Sequence, residues 1–217
     1  MDIIELSPLI EDIDENAKEI YRVSNQICSI NNKVNRFGSI WLCEINDEIL
    51  MLNVRKVINQ WTRHTSVGVK KNPKLQKSFQ SFYKHLYEFL LLMNDIEESG
   101  YHDLAKASLY QGKLFRYIGS GSSFNRADKR IEPEYNDIYV SWSKKRKNTY
   151  FEQKLYGIIT LLTCNVESPN YGIDLTPFGV ACDGEDEVVF PTIKDTLEEI
   201  EYIDRESRKS EKIKVIK

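Results

Sequence analysis

Near Gly112 the chain changes texture, and that change restricts the fold more than any other feature. Before it, apolar residues recur at three- and four-residue spacing, as amphipathic helices require. Ile10, Ile13, Ala17, Ile20, Ser24 and Ile27 outline a first helix. Leu50, Val54, Val57, Ile58 and Trp61 make one face of a second, over Asp47 to Trp61. Leu75, Phe79, Phe82, Leu86, Phe89, Leu90 and Met93 form a wide stripe on a third, which is expected to face a core. Gly100 closes that helix, and a short further one is expected over His102 to Tyr110. After Gly112 the apolar residues gather in short β-branched and aromatic runs: Leu114 to Ile118, Asp137 to Ser143, Tyr156 to Cys164 and Val188 to Phe190. Glu199 to Ile203 and Lys212 to Ile216 add two more. Helices first and strands afterwards predict an α+β fold rather than alternating α/β, with a helical segment at 1–111 and a β core at 112–217.

Composition narrows the function classes. A chain of 217 residues can bury an adequate core. With 30 basic and 33 acidic residues the net charge is −3, so no global field draws the protein onto nucleic acid or an anionic membrane. Cys28, Cys43, Cys164 and Cys182 are far apart, with no CxxC, and read as reduced thiols of a cytoplasmic protein. The N-terminus has no basic region preceding an apolar run, and no apolar stretch approaches a membrane span, so a soluble protein with no membrane partner is expected. His64, His85 and His102 fall on the expected helices and read as structural or surface residues rather than metal ligands, so no metal site is expected.

One stretch of the β half demands a cationic partner. Gly184-Glu185-Asp186-Glu187-Val188-Val189-Phe190-Pro191 places an acidic cluster directly before a run that reads as a buried strand. On a strand, Glu185 and Glu187 point to the same face and Asp186 to the other. Two adjacent carboxylates repel each other and have no packing role, so a positive charge should meet them. Upstream in the same half stand an arginine on the first strand, in Leu114-Phe115-Arg116, and a Ser-x-Ser at a strand end, in Tyr139-Val140-Ser141-Trp142-Ser143.

In that order and strand placement, the three features resemble the mono-ADP-ribosyltransferases of the arginine–serine–glutamate class, which includes bacterial toxins, phage transferases and vertebrate ecto-transferases. The resemblance covers Lys113 to Lys217. It implies a core of two small, mainly antiparallel β-sheets that binds NAD and transfers ADP-ribose to a macromolecule without a metal. It assigns Glu187 to stabilising the oxocarbenium-like ribose and holding its 2′-hydroxyl. Arg116 would bind the NAD phosphates through its planar fork. Ser141 would orient the catalytic carboxylate or the ribose, with Ser143 in support. Glu185 would face the acceptor, where Glu goes with an arginine target, and the two glutamates would titrate as a coupled pair. Tyr117 stands where many members have glycine, so only its backbone is expected to contact the nicotinamide amide. Trp142, opposite the two serines on its strand, is expected to pack.

Other segments carry weaker expectations. Lys144-Lys145-Arg146-Lys147 occupies the place of a loop that contacts phosphate and nicotinamide in the family, with Arg146 as a second phosphate contact and Tyr150 or Phe151 as a nicotinamide stack; a solvated charge run is the open alternative. Leu175 to Gly184 matches the family's target-recognition loop, in which Phe178 is either an exposed recognition aromatic or a buried anchor. Gly119-Ser120-Gly121-Ser122-Ser123 lacks the Lys-Ser/Thr of a triphosphate loop and reads as a connector. Protein arginine is the leading acceptor and a nucleic-acid base the alternative, in a toxin, effector or phage-related setting with an inhibitor protein or antitoxin as partner. A NAD glycohydrolase without acceptor and a non-catalytic module of the same fold are the remaining readings.

Overall fold

The computed structural model describes residues 47–64, 73–97, 100–118, 130–147, 157–179 and 186–215. The expected helix over residues 10–27, the Gly119–Ser123 connector, Tyr150, Phe151, Glu185, Cys28, Cys43 and Cys182 lie outside them. The chain divides into two compact units, Met1–Lys106 with Phe178–Val180, and Ala107–Pro177 with Ala181–Lys217.

The first unit contains helices α1 (Asp47–His64) and α2 (Pro73–Asp95) and most of α3 (His102–Ser108). The described residues of the second and third predicted stripes lie in its core. Val54, Val57 and Ile58 of α1 and Phe79, Phe82, Leu86, Phe89, Leu90 and Met93 of α2 are all buried. Trp61 anchors α1 on α2, edge-on to Phe79 at 5.2 Å and to Tyr83 at 5.0 Å between ring centroids, the geometry aromatic quadrupoles favour. Among the described residues no helix is long and apolar enough to cross a membrane. No group of three or more His, Cys, Asp or Glu side chains among them stands ready to hold a metal ion.

The second unit is built on strands β1 (Leu109–Tyr110), β2 (Gly112–Ile118), β3 (Asn136–Ser143), β4 (Ile158–Val166), β5 (Gly172–Asp174), β6 (Glu187–Thr192), β7 (Leu197–Asp204) and β8 (Lys209–Lys214). Six of these match predicted runs; β1 and β5 do not, because two- and three-residue strands carry no readable alternation. The α+β expectation holds at this level. The expectation of two small sheets does not: all eight strands join in one antiparallel sheet, ordered β1-β5-β6-β3-β2-β4-β7-β8. The reason lies at the joint between β2 and β3, which connects two well-paired halves through the single register pair Phe115↔Ser143. On one face of the sheet Leu114, Trp142, Leu162, Cys164, Val188, Phe190, Leu197 and Ile200 form a continuous buried cluster. The β8 edge is exposed throughout and mostly charged (KSEKIK), which blunts edge-to-edge pairing.

Candidate functional site

The alternation of hydrogen bonding across β3 builds the site. The Lys144 amide donates to the Asp186 carbonyl (3.1 Å), so at that step β3 bonds to β6. In an antiparallel ladder the alternate residues, Ser143 and Ser141, then turn their own N–H and C=O away from β6 and toward β2. Their Cα partners on β6 are Glu187 and Val189. Glu187 likewise turns its backbone away from β3, and its carbonyl accepts from the Leu175 amide at 3.0 Å. Facing residues of this kind bring their side chains closest together. Ser141, Ser143 and Glu187 therefore share one face of the sheet, and the Ser141 hydroxyl donates to Glu187 Oε1 along the diagonal.

Arg116 enters from the other side. The Ser141 carbonyl points toward β2, but the β2–β3 ladder has no pair beyond Phe115↔Ser143. The Arg116 guanidinium occupies that position instead, its Nη1 donating to the Ser141 carbonyl at 2.7 Å. Ser141 is thus the hub, with a guanidinium on its backbone oxygen and a carboxylate on its hydroxyl. Only 5% of Glu187 is exposed, so the carboxylate is largely withdrawn from water. Burial pushes the Arg116 guanidinium down to about 10, and the nearby Glu187 carboxylate offsets part of that fall. At neutral pH it remains a cation in a poorly hydrated place.

The remaining expected residues are mostly engaged in holding the fold. Ser143 is buried, and its hydroxyl accepts from the Lys145 amide at 3.1 Å, which closes the turn leaving β3. Tyr117 lies on β2 opposite Leu161 of β4, and its hydroxyl donates to the Arg146 carbonyl. Trp142 packs as expected: it is buried on the apolar face, with Nε1 donating to the Phe190 carbonyl at 2.9 Å. Phe178 ends the 3-10 helix Thr176–Phe178 and is buried, which selects the anchor reading over the exposed one. His85 bonds within its own helix, Nδ1 to the Ser81 carbonyl at 2.8 Å.

Three residues of the basic run after β3 are each paired with a carboxylate. Lys144 pairs with Asp174 at 2.7 Å, Lys145 with Asp186 at 2.9 Å, and Arg146 with Glu201. Lys145 also holds the Asp186 carboxyl below its ordinary value, first by hydrogen bonding. In this structure Arg146 is engaged by a carboxylate of β7, not set out as a free phosphate contact. Sequence reasoning does not single out Asp174. Its signal is local: in Asp174-Leu175-Thr176-Pro177 the Asp carboxylate can cap the turn, as it does by accepting from the Thr176 amide at 3.0 Å.

Compared with protein-family models, with curated proteins and with solved structures, the chain gives no match.

Proposed function

We propose that this chain is a mono-ADP-ribosyltransferase that takes NAD as donor substrate, with a protein arginine as acceptor. The observation that carries the reading is Ser141, bonded at once to Arg116 and Glu187. A buried, hydrogen-bonded carboxylate near a partly buried guanidinium is a costly arrangement for a structural core, and such groups concentrate at functional sites. The residue types fit a pyridine dinucleotide. A guanidinium has five N–H donors, of which the Ser141 carbonyl takes one from Arg116, and the rest suit a pyrophosphate.

NAD supplies an ADP-ribosyl group with nicotinamide as its leaving group. Glu187 stabilises the positive charge that develops at the ribose C1′, and it does so strongly because little water competes at this position. Ser141 holds the carboxylate in one orientation, so no reorganisation is needed as that charge forms. The C1′–nicotinamide bond breaks with its electron pair leaving on nicotinamide. A guanidinium nitrogen of the acceptor forms the new bond to C1′ and gives up its proton to a carboxylate, the role assigned to Glu185. The same site without an acceptor hydrolyses NAD.

The ion pairs along Lys144, Lys145 and Arg146 favour a protein acceptor over a nucleic acid. Cations already matched by carboxylates offer a phosphodiester backbone little counterion release. The test is incubation of the purified protein with labelled NAD and a lysate, followed by protease and nuclease digestion of the labelled product. Label that is protease-sensitive, and absent with Glu187→Gln, is the expected result. Nuclease-sensitive label would replace protein by nucleic acid, and no consumption of NAD would end the reading. Glu185→Gln is expected to suppress arginine transfer more than NAD hydrolysis; equal loss of both would remove the acceptor role from Glu185.

A further inference from the structure

Strand β6 carries Glu187, and its apolar pattern does not by itself distinguish the places of Val188 and Val189. Val188, Val189 and Phe190 are consecutive and all buried, so both faces of the strand are apolar. A one-residue slip exchanges the two faces of a strand. In β6 it would replace valine by valine at the centre and misplace Phe190, while moving Glu187 to the face now held by Trp142 and Val188. Apolar packing of Phe190 and of Val188 on Gly172 opposes such a slip, and a polar contact that spans the strand adds to it. In the sheet order β5-β6-β3, Asp174 ends β5 and Lys144 follows the last residue of β3, with β6 between them. Their side chains meet over β6, Nζ to Oδ2 at 2.7 Å.

Each partner is tied down independently. The Lys144 amide bonds to the Asp186 carbonyl and its ammonium lies 5.8 Å from the centroid of the Tyr110 ring. Asp174 is the register partner of Val188, and its second oxygen accepts from the Thr176 amide. The side chains are 24% and 10% exposed, against 59% and 37% for the neighbouring Lys145–Asp186 pair, so solvent screens the first pair less. Burial of an ion pair adds little net stability, because desolvation offsets the attraction, and its best attested use is to fix register.

We propose that Lys144 and Asp174 are a positioning pair that locks β6 in register and so keeps the Glu187 carboxylate on the Ser141 hydroxyl. This rests on the role proposed for Glu187. Neither residue touches the reacting atoms; both act through the placement of Glu187.

The experiment compares Lys144→Met, Lys144→Arg and Asp174→Asn in the full chain, measuring NAD turnover, melting temperature and amide exchange of Val188–Phe190. Asp174→Asn keeps the acceptor for the Thr176 amide and loses only the charge, which guards against a variant that simply fails to fold. The expected result is a fall in kcat on the order of tenfold to a hundredfold for Lys144→Met and Asp174→Asn, with KM for NAD within about twofold. Lys144→Arg should restore most of the loss, and β6 amides should exchange faster in the other two variants. Unchanged kcat in folded variants overturns the proposal. So does a loss that merely tracks the melting temperature and is not restored by arginine. If the unaltered protein consumes no NAD, the transferase reading fails, and amide exchange alone decides for the pair: selective loss of protection in β6 supports it, and unchanged protection overturns it.

Discussion

The Ser141 hydroxyl donates to the Glu187 carboxylate although the two residues are 46 apart in sequence and are not register partners; each is two positions along from the other's partner. This diagonal bond distinguishes the two serines of the motif. The Ser143 hydroxyl, directly opposite Glu187, is engaged with the Lys145 amide instead. Ser141→Ala is therefore expected to lower NAD turnover about ten- to a hundredfold, the value of a hydrogen bond to a charged group. Ser143→Ala should cost less than about fivefold. Nicotinamide release by the two variants under saturating NAD checks the ranking, and a larger loss from Ser143→Ala would reverse the assignment.

Arg116 sets an alkaline limit. Its folded-state value, about 10, lies below its ordinary 12.5, chiefly through burial. Between those values the unfolded chain binds the proton and the folded chain does not, so this group's contribution to stability rises with pH across that window. Below about 10 the partly buried charge is a constant burden. NAD binding should run the other way, weakening with an apparent pKa near 10 as the guanidinium loses its charge. Because Glu187 supports that charge, Glu187→Gln should move the limit to lower pH. Calorimetric titration of NAD binding from pH 8 to 11 measures both.

Cys164 should be inert. Burial first, and then the Glu198 carboxylate, push its thiol up to about 12, so it is a thiol rather than a thiolate at neutral pH. Peptide mass mapping after alkylation at pH 8 should show Cys164 unmodified in the native protein and fully modified in denaturant.

Gly172 holds β5 against β6 by having no side chain. A Cβ there would lie 2.5 Å from Val188 Cγ1, and a β-branched side chain in a packed sheet has little room to yield. Gly172→Ala is expected to destabilise the fold by about 1–3 kcal/mol, measured by denaturant unfolding. Any displacement of β6 that results should also lower NAD turnover.

The amino-acid order by itself determined the features that depend on short-range periodicity. The helical stripe from Phe79 to Met93, the β-branched runs of β2, β3, β4 and β7, and the strand start at Glu187 were legible because helix and strand repeats differ within a few residues. So was Trp142 facing away from Ser141 and Ser143, since strand alternation needs only three consecutive positions. The tertiary structure decided everything that depends on which strands lie side by side. It joined eight strands into one sheet, aimed the Ser141 carbonyl at Arg116, paired Lys144, Lys145 and Arg146 with Asp174, Asp186 and Glu201, and placed Lys144 across β6 from Asp174. Pairing between distant segments is set by hydrogen-bond parity and by the packing of whole faces, and neither is written in any window of neighbouring residues.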